Sequence, residues 1–137
     1  TKHLIIGASR NWCKTVLEWN LAADSQQKPH TPGGCTQCLG AVTIDGDLVI
    51  RNPAYYIVAH ASKFVRPGSV RIDSNIPSGL PNVAFKTPDG KIVVIVLDDS
   101  NSDKSFNIKI GTEAITTSLT GGAVGTFIYH FTEDAVN

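Results

Sequence analysis

Near its start the chain carries a short and mostly apolar run, Thr15-Val16-Leu17-Glu18-Trp19-Asn20-Leu21-Ala22. Near-continuous apolarity fits a strand covered on both faces, as in a parallel sheet, better than a half-exposed hairpin strand. Such a strand needs parallel neighbours, and the surroundings offer only one unit's worth of helices. Before the run, Leu4, Ile5, Ala8 and Trp12 follow a helical spacing, with Arg10 and Lys14 late in the turn, where a helix end favours cations. After it, a long polar loop from Asp24 to Gly34 continues through Cys35 and Cys38. A small strand pair follows, Ala41 to Ile44 and Leu48 to Ile50, around Asp45-Gly46-Asp47. Asn52 then reads as an N-cap and Pro53 as the first position of a second helix. Its apolar stripe is Ala54, Ile57, Val58, Ala61, Phe64 and Val65, ended by Arg66-Pro67-Gly68. Helix, strand, loop and helix make one α/β unit, and one unit cannot cover its own strand. A β/α barrel takes ~250 residues, so 137 residues can hold only its last unit.

From Ser69 onward the texture is all-β. Ser69 to Asp73 reads as one strand. Val83 to Lys86 and Lys91 to Leu97 flank Thr87-Pro88-Asp89-Gly90, a strong hairpin signal. Ser105 to Ile110, Ala114 to Leu119 and Ala123 to Phe131 follow between Gly-rich or Asp/Ser-rich turns. Short strands at this spacing predict an immunoglobulin-like antiparallel β-sandwich. The strand Ile92 to Leu97 is apolar on both faces, so one face packs into the sandwich and the other needs a second partner.

Charge and length exclude several roles. Lys+Arg and Asp+Glu are both 12, so the basic excess of a nucleic-acid binder is missing, as is the charge for an electrostatic membrane anchor. The apolar share of 42% supports a core and argues against a disordered chain. Ile92 to Leu97 is the longest apolar run, far short of the ~20 residues of a membrane span. No cationic stretch leading into an apolar core opens the chain, so no signal peptide is expected; a start at Thr1 in mid-helix reads as a mature or internal piece.

Several segments, in order, carry a resemblance: Ile5-Ile6-Gly7, Arg10-Asn11-Trp12, Trp19-Asn20-Leu21-Ala22, Pro32-Gly33-Gly34-Cys35, Tyr55-Tyr56, His60-Ala61-Ser62-Lys63-Phe64-Val65 and Pro67-Gly68-Ser69. Arg71-Ile72, Val83-Ala84-Phe85, Pro88-Asp89-Gly90 and Gly122-Ala123-Val124-Gly125-Thr126 continue it. No single tetrapeptide is specific; the order is. From about Leu4 to Phe127 the chain resembles the C-terminal part of glycoside hydrolase family 30, which includes glucosylceramidases and β-1,6-glucanases. The resemblance implies an α+β fragment: the last β/α unit of a (β/α)8 barrel over residues 1–68, then the sandwich over 69–137. The remaining sandwich strands would come from the family's N-terminus. It implies a retaining β-glycosidase acting on β-glucosides or β-glucans such as glucosylceramide or β-1,6-glucan. The implied partners are a β-linked carbohydrate or glycolipid substrate and the remainder of the barrel, and the implied location is secreted, periplasmic or extracellular. No cofactor and no metal are expected. In the family the acid/base lies in an Asn-Glu-Pro motif after the fourth barrel strand and the nucleophile is a Glu after the seventh. Both segments are missing here. Retaining hydrolysis needs two carboxyl groups ~5 Å apart, whereas the only Glu residues are Glu18, Glu113 and Glu133. The chain is expected to supply a wall of an active site and no catalytic residue.

Trp19 is the main candidate for that wall. It would stand near the C-terminal end of a barrel strand, where barrel enzymes place their sites, with its ring stacked on a pyranose; the competing reading is a core Trp. Asn20 and His30 fall near the same rim as candidate substrate-binding residues, although a loop His is commonly just solvated. Glu18 lies on the strand face opposite Trp19 and reads as structural. Trp12, His60 and Lys63 also read as structural, Trp12 as core. Cys35 and Cys38 admit a disulfide, reduced thiols or, with Cys13 and His30, a zinc site whose spacing fits poorly. An exported glycosidase favours the disulfide, leaving Cys13 as a buried free thiol. The reading from a different class is a stand-alone β-sandwich that binds carbohydrate or protein and retains a barrel remnant. With its apolar strand unpaired, the chain in isolation is expected to oligomerise, to pack through its first sixty-eight residues against another copy or chain, or to leave that region partly disordered.

Overall fold

The computed structural model describes residues 1–130. Its centre is a four-stranded antiparallel sheet of β4 (Val70–Ile72), β5 (Asn82–Lys86), β6 (Ile92–Leu97) and β9 (Val124–Tyr129), in the order β4-β5-β6-β9. Register places Val83 opposite Ile95 and Phe85 opposite Val93, whereas Ala84 faces Val94 and Asn82 faces Val96. Because successive side chains alternate faces, this pairing sorts the apolar residues into two sets. Val83, Phe85, Val93 and Ile95 form one buried cluster; Leu80, Ala84, Ile92, Val94 and Val96 form the other.

Each set has its own cover. The second is covered by the hairpin of β7 (Lys104–Ile110) and β8 (Glu113–Leu119), through Phe106, Ile108, Ile110 and Leu119. Phe106 meets Phe127 edge-on at 5.9 Å, a favoured aromatic geometry. This pair of layers is the sandwich the strand spacing predicts. The first set is covered by the chain's own N-terminal half: Ile5 and Ile6 of a π-helical turn (Lys2–Gly7), then Ile57 and Ala61 of α2 (Pro53–Ser62), with Phe64 and Val65 beyond it. The second partner required by the two-faced strand is therefore supplied within these residues, and the core runs across position 68 without a break.

The turn between β5 and β6 follows its sequence closely. Gly90 takes φ +81°, and the Thr87 hydroxyl donates to the Lys91 carbonyl and accepts from the Lys91 N–H. The Lys91 ammonium, donating to Asp89, and then the Thr87 hydroxyl pull the Asp89 carboxyl down to about 2. Asp98, at the end of β6, is fully buried. Ser100 donates both its hydroxyl (2.6 Å) and its N–H (3.0 Å) to Asp98 Oδ1, holding that carboxyl below the usual range against the opposing effect of burial.

The N-terminal half departs from expectation in three places. First, Thr15 to Leu21 is not strand and bends at Trp19 and Leu21; among the described residues here only Ala22–Ala23 (β1) pairs, parallel to β2 (Val42–Asp45), which pairs in turn with β3 (Leu48–Arg51). The physical reason is the missing neighbours: Ala41 and Val42 donate backbone bonds to the Asn20 and Leu21 carbonyls and Val16 packs on the core, but Leu17 is left 94% exposed. Second, Trp12 is not core. The helix α1 (Ala8–Arg10) ends at Arg10, Trp12 has φ +69°, and its ring is 76% exposed beneath the Arg71 guanidinium, 4.4 Å away. Third, Cys13 is a free thiol but exposed, since the chain has left the helix before reaching it. In the last strand, the predicted end at Phe131 lies outside the described residues.

Polar ties fix the N-terminal half on the sheet. Arg10 donates to the Ser74 hydroxyl and carbonyl, each at 2.8 Å, and to the Asn82 carbonyl at 3.2 Å. Lys2 pairs with Asp99. Ile6 is 2% exposed and Leu4 is 49% exposed, so the two test the packing directly. Ile6→Ala should cost about 2–5 kcal/mol in a urea unfolding curve. Leu4→Ala should stay within about 1 kcal/mol; equal costs for both would contradict this seating of the turn.

Candidate functional site

The segment Thr15–Leu21 crosses an open cleft of about 1240 Å³ walled by the N-terminal turns, α2 and the Arg66–Arg71 turn. Of the segment, Thr15, Val16, Glu18, Asn20 and Leu21 line the cleft, as do Trp12, Tyr55 and Arg71. Trp19 does not line it; its ring is 78% exposed. Glu18 is exposed too, although it lines the cleft. Glu113 lies at the start of β8, on the far layer of the sandwich, and Glu133 lies outside the described residues.

Asn20 is held, not free. Its carbonyl accepts from the Ala41 N–H at 2.9 Å, and the Leu21 carbonyl accepts from Val42 at 2.9 Å. Its side chain packs against Gly40, where an added Cβ would lie 2.7 Å from Asn20 Oδ1 and 2.8 Å from the Ala23 nitrogen. A side chain at position 40 is therefore excluded. Asn20 Oδ1 is buried and has no hydrogen-bond partner. The Trp19–Asn20 peptide bond is cis.

The loop from Asp24 to Leu39 is tied at both ends. Asp24 Oδ1 accepts from Gln26 and Lys28 N–H groups at 2.8 Å each. Cys35 and Cys38 are joined in a disulfide, which removes the two thiols a zinc site would need. His30 lies between these ties, exposed. The structure thus brings Asn20 to the cleft and leaves Trp19 and His30 outside its walls.

Two functional-looking contacts escape a reading by motif. Asn52, assigned as a helix N-cap, makes no side-chain cap; buried, it donates its amide to the Gly40 carbonyl (2.8 Å) and the Thr43 hydroxyl (3.0 Å). Only the isolated Gly40 ahead of a strand, a pattern that marks close backbone approach, could have pointed to it. His60 reaches from α2 to the sheet, with Nδ1 2.8 Å from the Thr126 hydroxyl.

Both the sequence and the fold are similar to known proteins. Residues 68–127 match the glycosyl hydrolase family 30 beta sandwich domain. The chain is 33% identical over 105 residues to the endo-1,6-beta-D-glucanase neg1 of Aspergillus fumigatus, covering 72% of this chain and 22% of that protein. It is 32% identical over 93 residues to the lysosomal acid glucosylceramidase of Mus musculus, covering 66% of this chain and 18% of the other. A solved endo-beta1,6-glucanase superposes with a TM-score of 0.82 at 33% identity, over 92% of this chain and 29% of that one. The chain belongs to glycoside hydrolase family 30, and it spans about a fifth of the length of the curated relatives it matches.

Burial pulls the His60 pKa below 6.5. The unfolded chain then binds more protons than the folded one as pH falls through 6.5, so stability present at neutral pH is lost on acidification. Urea midpoints should drop between pH 7 and pH 5, and His60→Gln should flatten that part of the profile. An unchanged slope in the variant would show that other groups carry it.

Proposed function

We propose that this chain is the C-terminal portion of a retaining β-glycosidase acting on β-glucosides or β-glucans, such as β-1,6-glucan or glucosylceramide. In this reading residues 1–68 close a (β/α)8 barrel and residues 69–137 belong to the sandwich. The observation that carries it is the bare segment Thr15–Leu21, with Leu17, Trp19 and Leu21 all more than three-quarters exposed and a parallel bridge begun at Ala22. Apolar strand residues in that state call for parallel neighbours on both sides, which a barrel supplies and a stand-alone sandwich does not. The 22% of relatives' length that the match spans supports the same reading.

The division of labour follows. Trp19 offers an exposed aromatic face at the end of the segment as a platform for a pyranose ring, with Asn20 and His30 as polar neighbours. The catalytic carboxylates come from the remainder of the barrel, which also covers the cleft. The disulfide fits an oxidising compartment, so a secreted, periplasmic or extracellular enzyme is the favoured setting. No helix among the described residues is long and apolar enough to cross a membrane. In isolation, the uncovered segment should drive association with a second copy.

The chain alone should give no turnover of aryl β-glucoside or β-1,6-glucan above buffer, and should elute as an oligomer by light scattering. Turnover abolished by Glu18→Gln or Glu113→Gln would overturn the assignment of the carboxylates, and a clean monomer would overturn that of the segment. In the enzyme with its complete barrel, Trp19→Ala should lower kcat/KM by about tenfold or more; wild-type kinetics on both substrates would remove Trp19 from the site.

A further inference from the structure

We infer that Asn52 is a positioning residue for Trp19 and Asn20, acting through Gly40, and not the helix cap that its place in the sequence indicates. The geometry points this way in three steps. Asn52 stands at the N-cap of α2 with extended backbone (φ −85°, ψ 167°) and makes no capping bond. Its amide instead spans to the Gly40 carbonyl and the Thr43 hydroxyl, and its own N–H donates to the Ala41 carbonyl at 2.9 Å. Residues 40–43 are thus fixed to the start of α2 by one buried side chain and one backbone bond.

The same residues hold the candidate site from the other side. Ala41 and Val42 donate to the carbonyls of Asn20 and Leu21, and Gly40 presses on the Asn20 side chain so closely that no Cβ fits. The Cys35–Cys38 disulfide closes the turn just upstream. Trp19 itself has no hydrogen bond to any described residue and a mostly exposed ring, so its direction is set by the anchorage of Asn20. Asn20 is anchored to 40–42, and 40–42 to Asn52. An amide suits this role because its NH₂ supplies two donors to two acceptors. Ser or Asp at position 52 would keep an N-cap oxygen but offer no donor pair at that reach. Misplacing a group at a reacting centre by about 1 Å can cost as much as about 100-fold in rate, so a modest release at Gly40 is enough to be read in kinetics.

This inference rests on the reading of Trp19 as a sugar platform, and two measurements keep the two apart. The first is amide hydrogen exchange on this chain itself, comparing wild type with Asn52→Ser and Asn52→Asp. Both variants retain a capping side chain, so α2 should keep its protection while Ala41 and Val42 exchange at least tenfold faster. The second is kcat/KM per folded molecule in the enzyme with its complete barrel, expected to fall about tenfold in both variants. Unchanged exchange at Ala41 and Val42 overturns the clamp whatever the kinetics. Faster exchange with wild-type kcat/KM overturns the positioning role. If Trp19→Ala is also kinetically silent, the platform reading has failed with it; if Trp19→Ala is impaired, only the link from Asn52 has failed. Global loss of protection in Asn52→Ser, with α2 unfolding, would show that Asn52 caps the helix after all.

Discussion

Everything in this molecule depends on β6 having no solvent face. Ile92, Val93, Val94, Ile95 and Val96 are all buried, so adjacent residues on one strand must each find an apolar layer on opposite sides. A sheet of this kind cannot stand as the outer layer of a two-layer sandwich. The β7–β8 hairpin satisfies one side, and on the other the helices of residues 1–68 are obligatory packing partners. Apolar burial at about 25 cal/mol per Å² makes this seam a main stabilising contact between the halves of the chain. The α/β unit is in this sense the third layer of the sandwich.

Apolar packing does not specify direction, and the polar ties do. Arg10 is the clearest case: a planar guanidinium with donors aimed at two carbonyls and a hydroxyl accepts little rotation before its bonds are lost. Its acceptors are themselves organised, since Ser74 donates to Asn82 and Asn82 donates to Asn75 and Leu80. His60 adds a second tie from α2 to Thr126 on β9. The two ties reach β5 and β9, on either side of β6, so the N-terminal half is fixed against pivoting across the sheet. A rigid seat of this kind lets the sheet set the angle of the N-terminal half.

The sequence was most legible where pattern and neighbours belong to the same stretch of chain. The Thr87–Gly90 turn, the alternation of Phe106, Ile108 and Ile110, and the two-faced character of β6 all follow from local spacing because each strand's partners lie nearby. The α2 stripe was legible for the same reason. Misreadings arose where one residue decides between two continuations. A helical count carried through Trp12 and Cys13 predicts both inside, but the helix stops at Arg10 and the turn at Trp12 throws both outward, where Arg71 covers the indole. Asn52 shows the same ambiguity at a helix start: Asn before Pro is a good cap, and nothing local tells that the amide has a better partner twelve residues upstream. Of the candidate site, the sequence pointed to Asn20 only as a rim neighbour of Trp19; that it lines the cleft and is anchored at Gly40 depends on long-range contacts.

The segment Thr15–Leu21 is a place where sequence and surroundings disagree, and the disagreement is informative. Its residues carry the composition of a buried strand, yet Leu17, Trp19 and Leu21 face solvent, an arrangement that natural monomers avoid. The first ladder contact appears only at Ala22, where β2 supplies the edge. Leu21 lines the cleft, whereas Leu17 and Trp19 do not. A neighbouring strand placed beside this segment would order its backbone. The Trp19 ring would then be presented on an ordered backbone, which is what the proposed reading of Trp19 as a sugar platform requires if it is to favour the transition state over the free substrate.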